Sequence, residues 1–276
     1  MPTQRTRIGA VARVAPRVEY RRYSRRGGFA EGKLREMTNA LRAEVERYPW
    51  YHTLELGDGV VTRGMFDHRP VASCYMLPDD LSGSRCLDVG TMDGFWAFEM
   101  ERRGADHVVA ADIADPEALD WPASVRSQPK LLDETKGERF AIAHRALGSG
   151  VRRVETSVYE LDPEQLGSFD LVFCGDLLLH LKDPITALER IRSVCADSAI
   201  VCNPIIRVRF AQRRPLAELD GIDGFTWWMT NLAGLERLVR AAGFPHVEAG
   251  KPFDLPFAAG REWKGERGVV RGYVKP

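Results

Sequence analysis

The sequence predicts an open α/β fold built on a largely parallel sheet. Three observations carry that expectation. An apolar run, Arg85-Cys86-Leu87-Asp88-Val89, ends in an acid and a glycine turn, Gly90-Thr91-Met92-Asp93-Gly94, that opens a helix at Phe95. A second apolar run, Val108 to Ala111, stops at Asp112, 18 residues beyond Gly94. Strand-like and helix-like periods then alternate to the end of the chain, which demands right-handed crossovers and parallel strands.

The elements follow in order. Leu34, Met37, Leu41 and Val45 recur at helical spacing, so an amphipathic helix spans 31–47. Residues 50–66 read as short extended segments around Gly57-Asp58-Gly59. Strands are expected at 85–89, 107–112, 151–155, 169–174 and 198–202. They alternate with helices at 94–103, 134–147 and 184–195. A helix over 231–242 stops at Gly243, and strands at 245–249 and 268–274 close the sheet as an antiparallel edge.

Two features of the first strand-turn-helix unit point to an adenosine-containing ligand. Glycines let a backbone pass close to the ligand, and a carboxylate at the tip of the second strand can accept from both ribose hydroxyls. The same Asp-x-Gly pattern also serves as a plain tight turn. Two further segments argue for the ligand: Ser157-Val158-Tyr159 after a strand, and Phe169-Asp170-Leu171-Val172-Phe173-Cys174 leading through a loop to a helix at Pro184.

Over residues 85–250 these four motifs resemble those of the class I S-adenosylmethionine-dependent methyltransferases. The resemblance implies a Rossmann-like, seven-stranded, mostly parallel α/β sheet with a helical and extended N-terminal extension. Its domain plan is a basic arm (1–30), a substrate-side cap (31–80) and a methyltransferase domain (81–276) with a lid at 204–230. S-adenosyl-L-methionine is the implied cofactor, held by Asp88, Gly90, Thr91, Gly94, Asp112, Ile113, Val158, Tyr159 and Cys174. Upstream, Pro49-Trp50-Tyr51-His52-Thr53, Gly59-Val60-Val61-Thr62 and Phe66-Asp67-His68-Arg69 resemble the tRNA wobble-uridine carboxymethyltransferase group and its secondary-metabolite relatives. There are departures. Met92 replaces a glycine of the first motif, and Leu179 stands where that group carries Tyr. The basic and aromatic positions that hold the carboxylate of carboxy-S-adenosylmethionine are mostly missing, with Arg69 the one nearby basic candidate. Ordinary S-adenosylmethionine is therefore the expected donor.

Methyl transfer from a sulfonium needs alignment above all, and a base only where the acceptor must lose a proton. His180, in the loop after the fourth strand, is the first candidate base; it fits equally a role in capping or packing the following helix. Asp176, in the same loop, and His52 and His68 upstream are the alternative base candidates, and Asp176 can instead anchor a substrate amine or hydroxyl. His52, His68, Arg69, Arg207, Trp227 and Trp228 are candidate substrate contacts. Of the adjacent tryptophans one is expected to fill core and the other to stack on a planar acceptor.

Composition bounds the rest. Lys plus Arg and Asp plus Glu are both 39, so the chain has no net charge to draw it to nucleic acid. Its first 26 residues nonetheless hold eight arginines against Glu19, which suits either a solvated tail or a phosphate clamp. This segment is read as part of the mature chain rather than a transit peptide. No apolar run reaches the length of a membrane span. Cys74, Cys86, Cys174, Cys195 and Cys202 lack Cys-x-x-Cys spacing and read as buried thiols of a reducing, cytoplasmic compartment. The six histidines fall in no metal-ligand spacing, so no metal is expected. The favoured reading is methylation of a small organic acceptor in secondary metabolism, with no membrane association. The alternatives are a tRNA-modifying transferase and a non-catalytic cofactor-binding module. Exposed parts of the upstream region are candidates for dimerisation.

Overall fold

A computed structural model describes residues 28–126, 136–222, 224–257 and 265–276. The arginine-rich stretch 1–26 lies outside the described residues. The chain divides into two units, 1–37 and 38–276. Of the first, the described part is the opening of helix α1 (Gly28–Val45), whose later turns belong to the second unit.

In the second unit, β1 (Trp50–His52) pairs in parallel with β2 (Gly64–Phe66), and a 3-10 turn follows at Arg69–Tyr75. The main domain then runs β3 (Arg85–Val89), α2 (Phe95–Arg102), β4 (His107–Asp112), α3 (Ala123–Arg126), α4 (Glu138–Leu147), β5 (Arg152–Glu155), α5 (Pro163–Leu166), β6 (Phe169–Gly175), α6 (Pro184–Val194) and β7 (Cys195–Pro204). A hairpin of β8 (Ala217–Leu219) and β9 (Trp228–Thr230) precedes α7 (Leu232–Ala241). Strands β10 (His246–Ala249), β11 (Phe253–Leu255) and β12 (Gly265–Tyr273) complete the sheet.

The strand order is β10-β12-β7-β6-β3-β4-β5. Strands β3 to β7 are mutually parallel, and β12 lies antiparallel between β7 and β10. The seven expected strands are thus present, and β11 adds an eighth along β12. That strand is three residues long between Pro252 and Pro256, too short to leave a period-2 signal. The β8–β9 hairpin inside the 204–230 segment was likewise not expected.

Both faces of the sheet are covered, as the crossovers require. On one face, Leu87, Val89, Val109, Val172 and Cys174 pack on Ala187, Leu188 and Ile191 of α6 and on Leu235 and Val239 of α7. On the other, Cys86, Val108, Ala110, Leu171 and Phe173 meet Ala97, Phe98 and Met100 of α2 and Phe140 and Ile142 of α4. The alternation of neighbouring strand residues between faces is the period of two written into the pleat. Helix α6 starts at a Pro after Asp183, whose carboxylate accepts from Thr186 N, and α7 starts after Asn231, whose side chain accepts from Gly234 N. Leu41 and Val45 of α1 join the second core cluster together with Trp50, whose indole donates to Val45 O at 2.9 Å. No described helix is long and apolar enough to cross a membrane.

Candidate functional site

The ligand-facing edge of such a sheet is where its parallel strands end. At the ends of β3, β4, β5 and β6 a cleft with about 160 Å³ of interior space opens. Its walls include Asp88, Gly90, Thr91, Met92, Asp112, Ile113, Val158, Tyr159, Asp176 and His180, joined by Tyr51 and His52 from β1.

The loop after β3 forms the floor. Gly90 N and Thr91 N both donate to Ala111 O at the tip of β4. Gly90 has φ of +75°, and a Cβ there would sit 3.2 Å from Leu177, so the backbone and Leu177 close on each other. Met92 also adopts a left-handed conformation, φ +52°. The loop therefore keeps a glycine-like path without the glycine, at a cost of about 1–2 kcal/mol for an L-residue. The Met92 N–H donates to Asp112 Oδ2 at 3.0 Å, which fixes that path. Gly94 is absent from the cleft wall. Its φ is +93° and a Cβ would lie 2.4 Å from Phe98, so its role is to seat α2.

Two acids flank the floor. Asp88 is 2% exposed and accepts from Thr91 Oγ1 (2.6 Å) and Ala97 N (3.2 Å). Burial pushes its carboxyl up to about 7; the two hydrogen bonds oppose the shift and the Asp112 charge adds to it. Asp112 accepts Met92 N and Ile113 N, with Lys136 Nζ at 3.5 Å. Oδ2, which accepts the Met92 amide, keeps acceptor capacity for a further donor.

Asp120 was not singled out in the sequence, yet it knits one wall. Its Oδ2 accepts Tyr159 OH at 2.9 Å and Lys182 N at 2.7 Å, while its backbone carbonyl accepts the Trp227 indole N–H. Burial raises the Tyr159 hydroxyl above its ordinary value.

The opposite wall comes from the upstream segment. Asp93, fully buried, accepts Tyr51 N (2.6 Å), His52 N (2.9 Å) and Arg139 Nε (2.9 Å), and so clips β1 to the loop and α4. Tyr51 OH stands 3.5 Å from Asp176 Oδ2, which also accepts from Arg267 Nε at 2.9 Å. Burial raises the Tyr51 hydroxyl far above its ordinary value. Asp176 is itself left-handed (φ +49°), its N–H tied to Cys202 O. His180 Nδ1 lies 2.8 Å from the Phe225 carbonyl, and burial lowers the pKa of its imidazole.

Of the remaining expected residues, some lie elsewhere. Cys174 points into the core with the α6 residues, by strand parity, and burial raises its thiol. His68 is buried behind the wall, 5.1 Å from the His52 ring and against Tyr75, Phe95 and Trp96. Burial holds His52 at about 4 and His68 well below its usual range, so both are neutral at pH 7. Arg69 is bonded at the surface to Asp67 and Glu55, and Arg207 to Glu266. Trp227 and Trp228 lend their indole N–H groups to the Asp120 and Lys182 carbonyls, anchoring the 204–230 segment instead of facing the cleft. Among the described residues no group of three or more His, Cys, Asp or Glu is placed to hold a metal ion.

A family described as a methyltransferase domain matches residues 67–249, about two thirds of the chain, and the chain belongs to it. Among curated proteins, magnesium-protoporphyrin O-methyltransferase of Rhodobacter capsulatus is 33% identical over 108 residues, 39% of this chain and 38% of that protein. The tRNA U34 carboxymethyltransferase of Stutzerimonas stutzeri is 25% identical over 170 residues, 61% of this chain and 47% of that one. This chain thus spans less than half the length of either relative. Among solved structures, the N-terminal domain of EvdMO1, determined in the presence of SAH and D-fucose, superposes with a TM-score of 0.58 at 16% identity. That likeness covers 86% of this chain and 97% of the other, and it concerns the fold.

Proposed function

We propose that this protein transfers a methyl group from S-adenosylmethionine to a small organic acceptor. The observation that carries the reading is the joining of the Gly90 loop to Asp112, through the Met92 N–H, in a cleft that also contains Asp176 and His180. The residues suit the cofactor: Asp112 retains acceptor capacity for ribose hydroxyls, Val158 and Tyr159 offer an apolar edge for adenine, and Asp88 supplies a buried carboxyl beside a close-approaching backbone. Bound there, S-adenosylmethionine supplies an electrophilic methyl group on a sulfonium sulfur.

The chain's own residues do the rest. Asp93 holds Tyr51 and His52 against the floor, so the wall facing the acceptor is preorganised. Arg267 and Tyr51 orient the Asp176 carboxylate, which can anchor an acceptor hydroxyl or amine. His180 is neutral at pH 7 and able to take a proton. Small-molecule chemistry is supported by the magnesium-protoporphyrin relative and by the balanced overall charge. We place the reaction in secondary metabolism and the protein in the cytoplasm, consistent with five free cysteines.

A tRNA-modifying role is the second reading, favoured by the match to tRNA U34 carboxymethyltransferase over 61% of this chain. One experiment separates the two. Purified protein is incubated with methyl-labelled S-adenosylmethionine and a cell lysate, and the RNA, protein and small-molecule fractions are counted. Label in a small organic product supports the first reading; ribonuclease-sensitive label supports the second. Cofactor binding with no label in any fraction would point to a non-catalytic module.

A further inference from the structure

The 204–230 segment is tied to the cleft at several points. Trp227 N donates to Leu179 O at 2.7 Å, Trp228 Nε1 to Lys182 O at 3.0 Å, and Ser124 Oγ to Ile222 O. The Phe225 ring packs edge-on against Trp121, a cleft residue, with centroids 4.8 Å apart. These anchors deliver the Phe225 carbonyl to His180 Nδ1 at 2.8 Å. A carbonyl oxygen can only accept, so the contact is a hydrogen bond only when Nδ1 carries the proton. In a neutral ring the proton on Nδ1 leaves Nε2 as a bare lone pair.

We infer that the 204–230 segment is a positioning element for the base: through the Phe225 carbonyl it locks His180 as the Nδ1–H tautomer and leaves Nε2 as the proton acceptor of the cleft. This rests on the reading of His180 as the base, and it narrows the substrate class. An Nε2 lone pair serves an acceptor whose nucleophilic atom bears a proton, a phenol-type hydroxyl or an N–H. As that atom forms its bond to the methyl carbon, its proton passes to Nε2, the carbon–sulfur bond breaks with its electron pair kept by sulfur, and the imidazole becomes an imidazolium. Phe225 is thereby a positioning residue acting through its backbone, and Trp121 and Ser124 hold it in place. Asp176 and Lys136 are the other charged groups acting on the ring, with opposite effects.

The test is long-range proton–nitrogen NMR of the histidine rings in the 15N-labelled, ligand-free protein at pH 8, with His180 assigned by the signals lost in His180→Gln. The expected result is a protonated Nδ1 and a bare Nε2. A protonated Nε2, or averaged signals, overturns the inference. In a Ser124→Ala/Phe225→Ala protein the His180 signals should move toward an average of both tautomers while S-adenosylhomocysteine binds within about twofold of wild type; an unmoved, fully Nδ1–H ring overturns the role of the segment. The base reading is tested apart from this: with a small-molecule lysate fraction as the source of acceptor, His180→Gln should slow formation of S-adenosylhomocysteine from S-adenosylmethionine by about 100- to 10,000-fold. Full turnover there, with an Nδ1–H ring in wild type, refutes the base and the acceptor class but not the tautomer lock.

Discussion

Replacing Asp88 by Asn should remove a pH dependence of stability that the wild type carries. The wild-type carboxyl moves from 3.8 to about 7 on folding, chiefly because it is buried. At 1.36 kcal/mol per decade, holding it ionised in the native state costs about 4 kcal/mol. The folded pKa is raised, so between these values the native protein binds more protons than the unfolded chain. Stability from this group is present at low pH and falls as pH rises toward 7. Between pH 5 and pH 8 about two decades of that interval are crossed, so the wild type loses about 3 kcal/mol that Asp88→Asn does not. Comparing the two proteins isolates the group from His52 and His68, whose depressed values act in the opposite sense at acid pH. Denaturant unfolding of both proteins at half-unit intervals of pH gives the difference directly. A difference that stays constant within about 0.5 kcal/mol over that range would refute the account of Asp88 as a carboxyl held out of water.

Asp112→Ala should weaken S-adenosylhomocysteine binding by about 1–3 kcal/mol, roughly 5- to 150-fold by calorimetry, through loss of the ribose acceptor; unchanged affinity would remove Asp112 from the cofactor site. Asp93→Ala breaks a buried carboxylate from Arg139 and from the Tyr51 and His52 amides, and should cost about 3–5 kcal/mol. At about 2–4 °C per kcal/mol its melting temperature should fall by roughly 6–20 °C, and a drop below about 3 °C would show that β1 is held by other contacts. Gly94→Ala, at φ +93° with Phe98 in the way, should destabilise by more than about 2 kcal/mol while leaving the fold's circular dichroism intact; a neutral result would place the strain elsewhere.

What the sequence disclosed about this molecule was local. Continuous apolar runs such as Leu171 to Cys174 are legible because both faces of a central strand are covered, and Asp112 is legible because its partner, the Met92 amide, lies 20 residues away in the same unit. Asp120 and Arg267 were not legible: each acts on residues far along the chain, Trp227 and Asp176, with no periodic signal to join them. Asp93 sat inside the quoted glycine turn, but its job is set by amides of β1 that only tertiary packing brings near. Arg69 and Arg207 lie away from the cleft for an electrostatic reason: each reaches a nearby acid, Asp67 and Glu266, while its long stem leaves the cation access to water. Met92 is the instructive departure, since the loop's path proved to be set by hydrogen bonds at both strand tips and survives the loss of a glycine.

The ion pair between Asp176 and Arg267 has a consequence for how the protein matures. The two residues are 91 positions apart, and β12, which carries the arginine, sits inside the sheet between β7 and β10. Until β12 slots in, β7 is an open edge, β10 has no neighbour to pair with, and Asp176 lacks its buried counter-charge. Nascent chains that stop short of Arg267 on the ribosome therefore present an aggregation-prone strand edge together with an unfinished site. One strand, β12, thus both closes the sheet edge and supplies the Arg267 partner of Asp176, so protection of that edge and completion of the cleft wall depend on the same pairing.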